Sequence, residues 1–514
     1  MPKPIAASIS RLLCALILSV TFPLYADVRL HQLFTDHMVL QQGKPVPVWG
    51  WADEGEQVVV SFNGKKVSTQ AKDGKWKVLL PKQKASNKPA TLMVQGKNRL
   101  EVKDVLVGEV WVCSGQSNME WGMTSSYQPE NAIKSATNNL IRLFTVPKLK
   151  ATEPVYEVSS KWVECSPETI KQFSAVGYYF GRDLQQALNV PVGLIHTSWG
   201  GSPAEVWMSP EFLQNNEEYR TDILAAVPEQ QQNYIKTVKQ WEAEKAALEK
   251  EGKQMTRGRP WANWVPSELY LGMIKPLIPY AIAGAIWYQG ESNAGRADQY
   301  RRLFPDMIRN WRQDWGQGDF PFLFVQLAPW DKNRKRSMEQ IVGEIGDSDW
   351  AELREAQTLT LSALPNTGMA VITDVGDKDD IHPAKKEPVG SRLALAARKI
   401  AYGQKVVSSG PLFKKMKIED STAIIHFDQV GGGLVAEGSR LTGFTIAGED
   451  KKFVPAEARI EGNKVIVSSP KIEKPIAVRY GWADYPVTNL KNKEGLPASP
   501  FRTDDFPMIT SKKK

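Results

Sequence analysis

Cysteine is scarce in this chain: three in 514 residues, with Cys14 inside an N-terminal apolar run. The other two, Cys113 and Cys165, cannot build a disulfide framework. The expectation is two small buried residues that pair only if they lie side by side. An excess of one charge sign is missing too. Lys and Arg total 65 against 57 Asp and Glu, and the net +8 falls to +6 when Lys3 and Arg11 are removed with the N-terminal segment. Basic residues are scattered except for lysine pairs and the tail Lys512-Lys513-Lys514, which excludes a nucleic-acid partner as the expectation. No apolar run reaches the ~20 residues of a membrane span. The longest, LLCALILSVTFPLYA, follows Lys3 and Arg11 and ends before Asp27. That pattern predicts a secretory signal peptide over residues 1–26, cleaved after Ala26. Leu13 stands before Cys14 where a lipoprotein signal needs a small residue, so export to the periplasm or beyond is expected, without a membrane anchor.

What is present divides by pattern. Residues 27–103 read as short strands, with Asn63-Gly64 and Asp73-Gly74 between alternating runs, a strong hairpin signal; a small β-sandwich is expected. From 104 to 403 apolar strands alternate with helical patterns, the signature of an α/β unit with a parallel sheet covered on both faces. An insertion at about 211–262 is polar and charged and reads as an exposed helical excursion. Residues 404–514 return to strands, a second β region. The short linker Glu101-Val102-Lys103-Asp104 carries no Gly, Pro or Ser, which predicts an N-terminal unit packed on the α/β block.

In an open parallel sheet ligands bind beyond the carboxyl ends of the strands, and four strand ends carry distinctive residues. VWVC runs into Ser114-Gly115-Gln116-Ser117-Asn118-Met119. VGLIHTS runs into Trp199-Gly200-Gly201-Ser202, AIWYQ into Gly290-Glu291-Ser292-Asn293, and AVITD into Val375-Gly376-Asp377-Lys378-Asp379-Asp380-Ile381-His382-Pro383. Singly each has an ordinary explanation: a helix cap for Ser117, a turn for Gly200-Gly201, a loop for Asn293, and a core position for His196. Together they supply a nucleophile, oxyanion donors, a base and an orienting acid, the parts of acyl transfer.

The blocks GQSNM, WGGSPAEVW, WYQGESNA and DDIHP, in this order and at these spacings, resemble the SGNH hydrolase superfamily, and within it the sialate O-acetylesterase-like branch that includes bacterial carbohydrate acetylesterases. The resemblance covers about 104–400. It implies a flavodoxin-like three-layer α/β/α core, no metal or other cofactor, and removal of acetyl groups from an O-acetylated sugar. Ser117 would be the nucleophile and His382 the base. The acid would be Asp379, three residues before the histidine, with Asp380 and Glu291 as the alternative carboxylates. The Ser117 N–H, a Gly200 or Gly201 N–H and the Asn293 amide would hold the oxyanion, and the helix after Ser117 would aim its positive end there. Gln116, Gln289 and Trp287 would contact the sugar. Sialic acid is the leading substrate, with acetylated xylan or another hemicellulose as the alternative. A noncatalytic carbohydrate-binding protein on the same scaffold is opposed by the complete residue set. A lipase is opposed by the absence of an apolar surface helix.

Overall fold

A computed structural model describes residues 27–333 and 336–512; the expected signal peptide lies outside the described residues. The element that organises the chain is β1 (Arg99–Gly115), 17 residues long. Its first half alternates buried and exposed, and from Val105 onward every residue is buried. The change follows its neighbours. The first half pairs antiparallel with Ser86–Gln95, in a sheet with one wet face, and the second half is flanked by parallel strands in a sheet covered on both sides. The expected linker at Glu101–Asp104 is therefore not a linker: these residues are strand, and Asp104, at φ +53°, marks the changeover. Two sheets share one strand, which leaves no hinge between them.

The parallel sheet contains β2 (Asn138–Thr145), β3 (Val192–Ser198), β4 (Gly284–Tyr288), β5 (Phe322–Val325) and β6 (Thr367–Ala370) in the order β2-β3-β1-β4-β5-β6. Val163–Cys165 adds an antiparallel strand beside β2. With β2 set aside the order is 2-1-3-4-5, a doubly wound arrangement whose switch point falls between β1 and β4. Side-chain alternation divides each strand between two cores. Val110, Val112, Trp287 and Phe324 join Tyr300, Phe304 and Trp311 of α4 (Ala297–Trp315) and Leu353 of α5 (Asp349–Ala363). Trp111, Cys113, Tyr288 and Val325 join Phe180 and Leu184 of α2 (Ala175–Leu188) and Val389 and Leu393 of α6 (Glu387–Ile400). Successive residues on a strand point to opposite faces, so helices cover both. Residues of the insertion form α3 (Val227–Lys250), in which Val238 alone is buried.

In the N-terminal unit, Asn63-Gly64 and Asp73-Gly74 all have positive φ, the geometry of the tight turns that match strand twist. Trp162 Nε1–H donates to the Leu33 carbonyl at 2.9 Å and the Tyr280 hydroxyl donates to the Val39 carbonyl at 2.7 Å, both buried, fastening this unit to the α/β block. Cys113 and Cys165 are free and buried. The C-terminal strands enclose their own core around Ile425, Val467, Tyr480 and Phe501.

The buried Arg354 of α5 ties that region down. It donates to the carbonyls of Leu327 and Ala328 on one side (2.8 and 3.1 Å) and of Ala483 and Asp484 on the other (2.7 and 2.8 Å). Arg354→Met would leave four carbonyls, those of Leu327 and Ala328 fully buried, without this partner. A loss of roughly 2–4 kcal/mol is expected, read as a lower urea midpoint.

Candidate active site

The abrupt end of β1 has a steric cause. Gly115 sits at φ +139°, and a Cβ there would lie 2.2 Å from the Tyr288 carbonyl oxygen on β4. Only glycine passes, and the chain turns into α1 (Ser117–Glu120) at the sheet's switch point. Ser114 stays buried within the strand. Ser117 is partly exposed at the head of the turn, where its hydroxyl shares a hydrogen bond of 2.8 Å with His382 Nε2.

His382 lies in the irregular loop after β6. Its ring stacks on Trp121, centroids 5.2 Å apart and planes 17° apart. Its Nδ1 lies 3.4 Å from Asp380 Oδ1, and its own backbone N–H donates to the same oxygen at 2.8 Å. Asp379, expected as the acid, pairs instead with Lys378. The loop's hydrogen bonds explain the exchange. Asp377 Oδ1 accepts the N–H groups of both Asp379 and Asp380, at 2.9 and 3.2 Å, closing an Asx-type turn. That turn sends Asp379 to Lys378 and leaves Asp380 beside the imidazole. Partial burial lowers the His382 pKa from 6.5, Lys386 lowers it further, and Asp380 opposes both. The net shift favours the neutral imidazole, the form that accepts a proton.

A second serine–histidine contact, Ser198 Oγ to His196 Nε2 at 2.6 Å, is buried inside β3, and burial lowers the His196 pKa to about 4. It is part of the core, as expected for that histidine.

The remaining expected residues surround Ser117 in ways the sequence did not show. Gly200 packs against it so closely that a Cβ would stand 3.2 Å from Ser117 Cβ. The Gly200 N–H, however, donates to Glu120 Oε2 at 2.7 Å. Gly201, at φ +74°, turns the chain beside Trp264. Asn293 is buried. Its Oδ1 accepts from Ala204 N–H and Gln289 Nε2 (2.9 and 2.6 Å), and its Nδ2 donates to Glu205 (3.0 Å), so the bonds it makes brace the Ser202–Glu205 turn. Gln289 is fully buried, bonded to Ser202, Asn293 and Tyr300. Gln116 is buried and accepts from Ser292 N–H at 3.4 Å. Trp287 is buried among Trp207, Trp311 and Phe322. These three were expected to touch sugar; alternation along β4 and the fold of the turn place them inside. The α1 turn has only four residues, too short for a helix dipole of consequence. Met119 and Glu120 donate to the Gln116 carbonyl, which leaves the N–H groups of Ser117 and Asn118 at the head of the turn without an intrahelical acceptor.

Glu291, the reserve acid, is turned away from the imidazole. Its Oε1 accepts from Asn118 Nδ2 at 2.6 Å, and burial raises its pKa. Asn118 Oδ1 in turn accepts from the buried Lys386 at 2.5 Å. Sequence reasoning missed Asn118, Lys386, Glu120 and Trp121, although each stands within four residues of Ser117 or His382. It also missed the aromatic wall beside Gly200 and Gly201. There Trp199 and Trp264 meet edge to face, centroids 5.6 Å apart, with Lys150 Nζ 4.0 Å from the Trp264 ring centre.

Among the described residues the group with metal-ligand geometry is His37, Asp104 and Glu164, and the buried Arg142 already donates to Asp104 at 2.5 Å. It lies in the changeover region of β1, apart from Ser117. No helix among the described residues is long and apolar enough to cross a membrane.

Comparison with known proteins agrees with this chemistry. Residues 107–255 and 252–399 match the family described as carbohydrate esterase, sialic acid-specific acetylesterase. The chain is 30% identical to a mouse sialate O-acetylesterase, covering 91% of this chain and 92% of that one. It is 28% identical to the human enzyme over 95% and 96%. A crystal structure of a carbohydrate acetylesterase from Xanthomonas citri superposes with a TM-score of 0.79 at 40% identity, covering 93% of this chain and all of that one. With its strand-end blocks inside the matched region and relatives that align along nearly its whole length, this chain belongs to the sialic acid-specific acetylesterase family of carbohydrate esterases, the carboxylic ester hydrolases that remove O-acetyl groups.

Proposed function

We propose that the chain is an exported serine esterase with an SGNH-type three-layer core, a β-sandwich over 27–103, a catalytic block over 104–403 and a β region over 404–514. The observation that carries the catalytic assignment is the 2.8 Å contact of Ser117 with His382 at the open end of the parallel sheet. Ser117 Oγ attacks the acetyl carbonyl while His382 takes its proton, and the tetrahedral oxyanion forms at the Ser117 N–H. His382 then protonates the departing sugar oxygen. A water molecule, deprotonated by the same imidazole, hydrolyses the acetyl-serine to acetate. Asp380 accepts from Nδ1–H and stabilises the imidazolium. Glu120 holds the Gly200 N–H in this arrangement, and the Ser117 N–H, without an intrahelical acceptor, serves as an oxyanion donor. Trp199 and Trp264 offer apolar surface to a sugar ring next to the nucleophile.

Sialic acid is the substrate that the relatives' names suggest. A neutral acetylated hemicellulose is a second reading, favoured by one observation. The lysines on the aromatic wall are already engaged, Lys148 with Glu120 at 2.5 Å and Lys150 with Glu268 at 2.9 Å. A sialate carboxylate would have to compete with those acids, whereas a neutral sugar would not. Acetate release from O-acetylated sialic acid and from acetylated xylan, measured side by side, separates the two. Release from neither, by protein that cleaves a chromogenic acetate ester, would overturn both.

A further inference from the structure

A buried ammonium group near a nucleophile calls for an explanation. Lys386 is fully buried at the N-cap of α6, where the helix dipole disfavours a cation. An apolar side chain would fill the space without the cost of desolvating a charge. Yet the Lys386 Nζ lies 5.5 Å from the Trp121 ring centre and 5.3 Å from that of Tyr288, and donates to Asn118 Oδ1.

Asn118 is the hub. Besides accepting from Lys386, its Nδ2 donates to Glu291 Oε1 on the loop after β4 and to the carbonyl of Ile381 at 3.0 Å. Ile381 is the residue before His382, Asn118 is the residue after Ser117, and Lys386 is four residues beyond His382. Three strand ends therefore meet on one amide. Trp121, which the imidazole stacks on, also faces the Lys386 ammonium.

We propose that Lys386 is a positioning residue for the acetylesterase reaction: with Asn118 and Glu291 it clamps the His382 loop onto the Ser117 turn, and it sets a positive charge against Trp121, the ring that the imidazole stacks on. The inference rests on the Ser117–His382 assignment. The charged groups acting on His382 are Asp380 from its own loop and Lys386 at the head of α6. Those acting on Lys386 are Glu291 from the loop after β4 and Asp380, and Glu291 acts in turn on the Tyr288 hydroxyl. Burial outweighs the two carboxylates at Lys386 and brings its pKa down to about 7. The cation and its influence on His382 are therefore fullest at and below neutrality, the range in which the imidazole titrates.

The test is the pH profile of kcat/KM on a chromogenic acetate ester. His382 must be neutral to act as base, so the rate rises with pH through its pKa. Removing a nearby positive charge raises that pKa, and the acid limb should move to higher pH by about half to one unit in Lys386→Gln and Lys386→Met. Glutamine can keep a bond to Asn118 and methionine cannot, so Lys386→Met should also lose roughly ten- to a hundredfold in kcat with little change in KM. A purely structural lysine would lower the melting temperature and leave the limb in place; folded variants with an unmoved limb overturn the proposal. If neither variant folds, Asn118→Ala tests the clamp instead: with the shared amide gone, kcat should fall roughly tenfold or more with little change in KM, and an unchanged kcat overturns the proposal. Ser117→Ala assayed in parallel separates the two levels. A retained rate there refutes the serine assignment, and a lost rate with an unmoved limb refutes the role of Lys386 alone.

Discussion

Ser117→Ala should fold as the unaltered chain does and lose acetate release by about 10⁴-fold or more, the scale on which removal of a catalytic nucleophile acts. Folding should be unaffected because the Ser117 hydroxyl bonds the His382 ring, while α1 is closed by backbone bonds from Met119, Glu120 and Trp121. Ser114→Ala is the matched control. Ser114 is buried in β1, one strand residue before Gly115, and its Oγ has no hydrogen-bond partner among the described residues. Its loss should change the rate by less than about threefold. Activity of Ser117→Ala within tenfold of the unaltered enzyme would remove the nucleophile assignment and with it the reading of the whole site.

Asp380→Asn should lower kcat by about 10²–10⁴, as loss of the orienting acid does in other serine hydrolases. The carboxylate does two things here. Its Oδ1 accepts the His382 backbone N–H, which sets the loop, and lies 3.4 Å from Nδ1, where it favours the tautomer that leaves Nε2 free for Ser117. An asparagine could keep the first contact and would lose the charge that stabilises the imidazolium. Because Asp380 raises the His382 pKa against burial and Lys386, its neutralisation should also move the acid limb of the rate to lower pH, opposite to the Lys386 variants. Asp379→Asn should stay within about threefold, since that side chain is exposed and bound to Lys378. Should Asp379→Asn be the more damaging, the loop in solution is turned the other way. Should Glu291→Gln exceed both, the acid reaches His382 through a rearrangement of the Asn118 hub.

Fold and site were unequally legible in the sequence. The alternation of apolar strands with helical segments is a local property of the chain. It identified the parallel sheet because strands covered on both faces are largely apolar, as β1 is from Val105 to Cys113 apart from Glu109. The blocks around Ser117, Gly200, Asn293 and His382 were legible because they follow such strands, and the carboxyl ends of parallel strands converge on one edge. Asn63-Gly64 and Asp73-Gly74 were legible because tight hairpin turns demand positive φ. Side-chain direction in irregular loops has no period, and there the tertiary structure decided. The Asx turn on Asp377 set Asp380, and not Asp379, beside the imidazole. The carboxylate of Glu120 took the Gly200 amide, and burial removed Gln289 and Trp287 from any sugar. The link from Lys386 through Asn118 to Glu291 joins residues up to 268 positions apart. It exists only because three strand ends, brought together by the sheet, leave a space into which a long side chain can carry its charge.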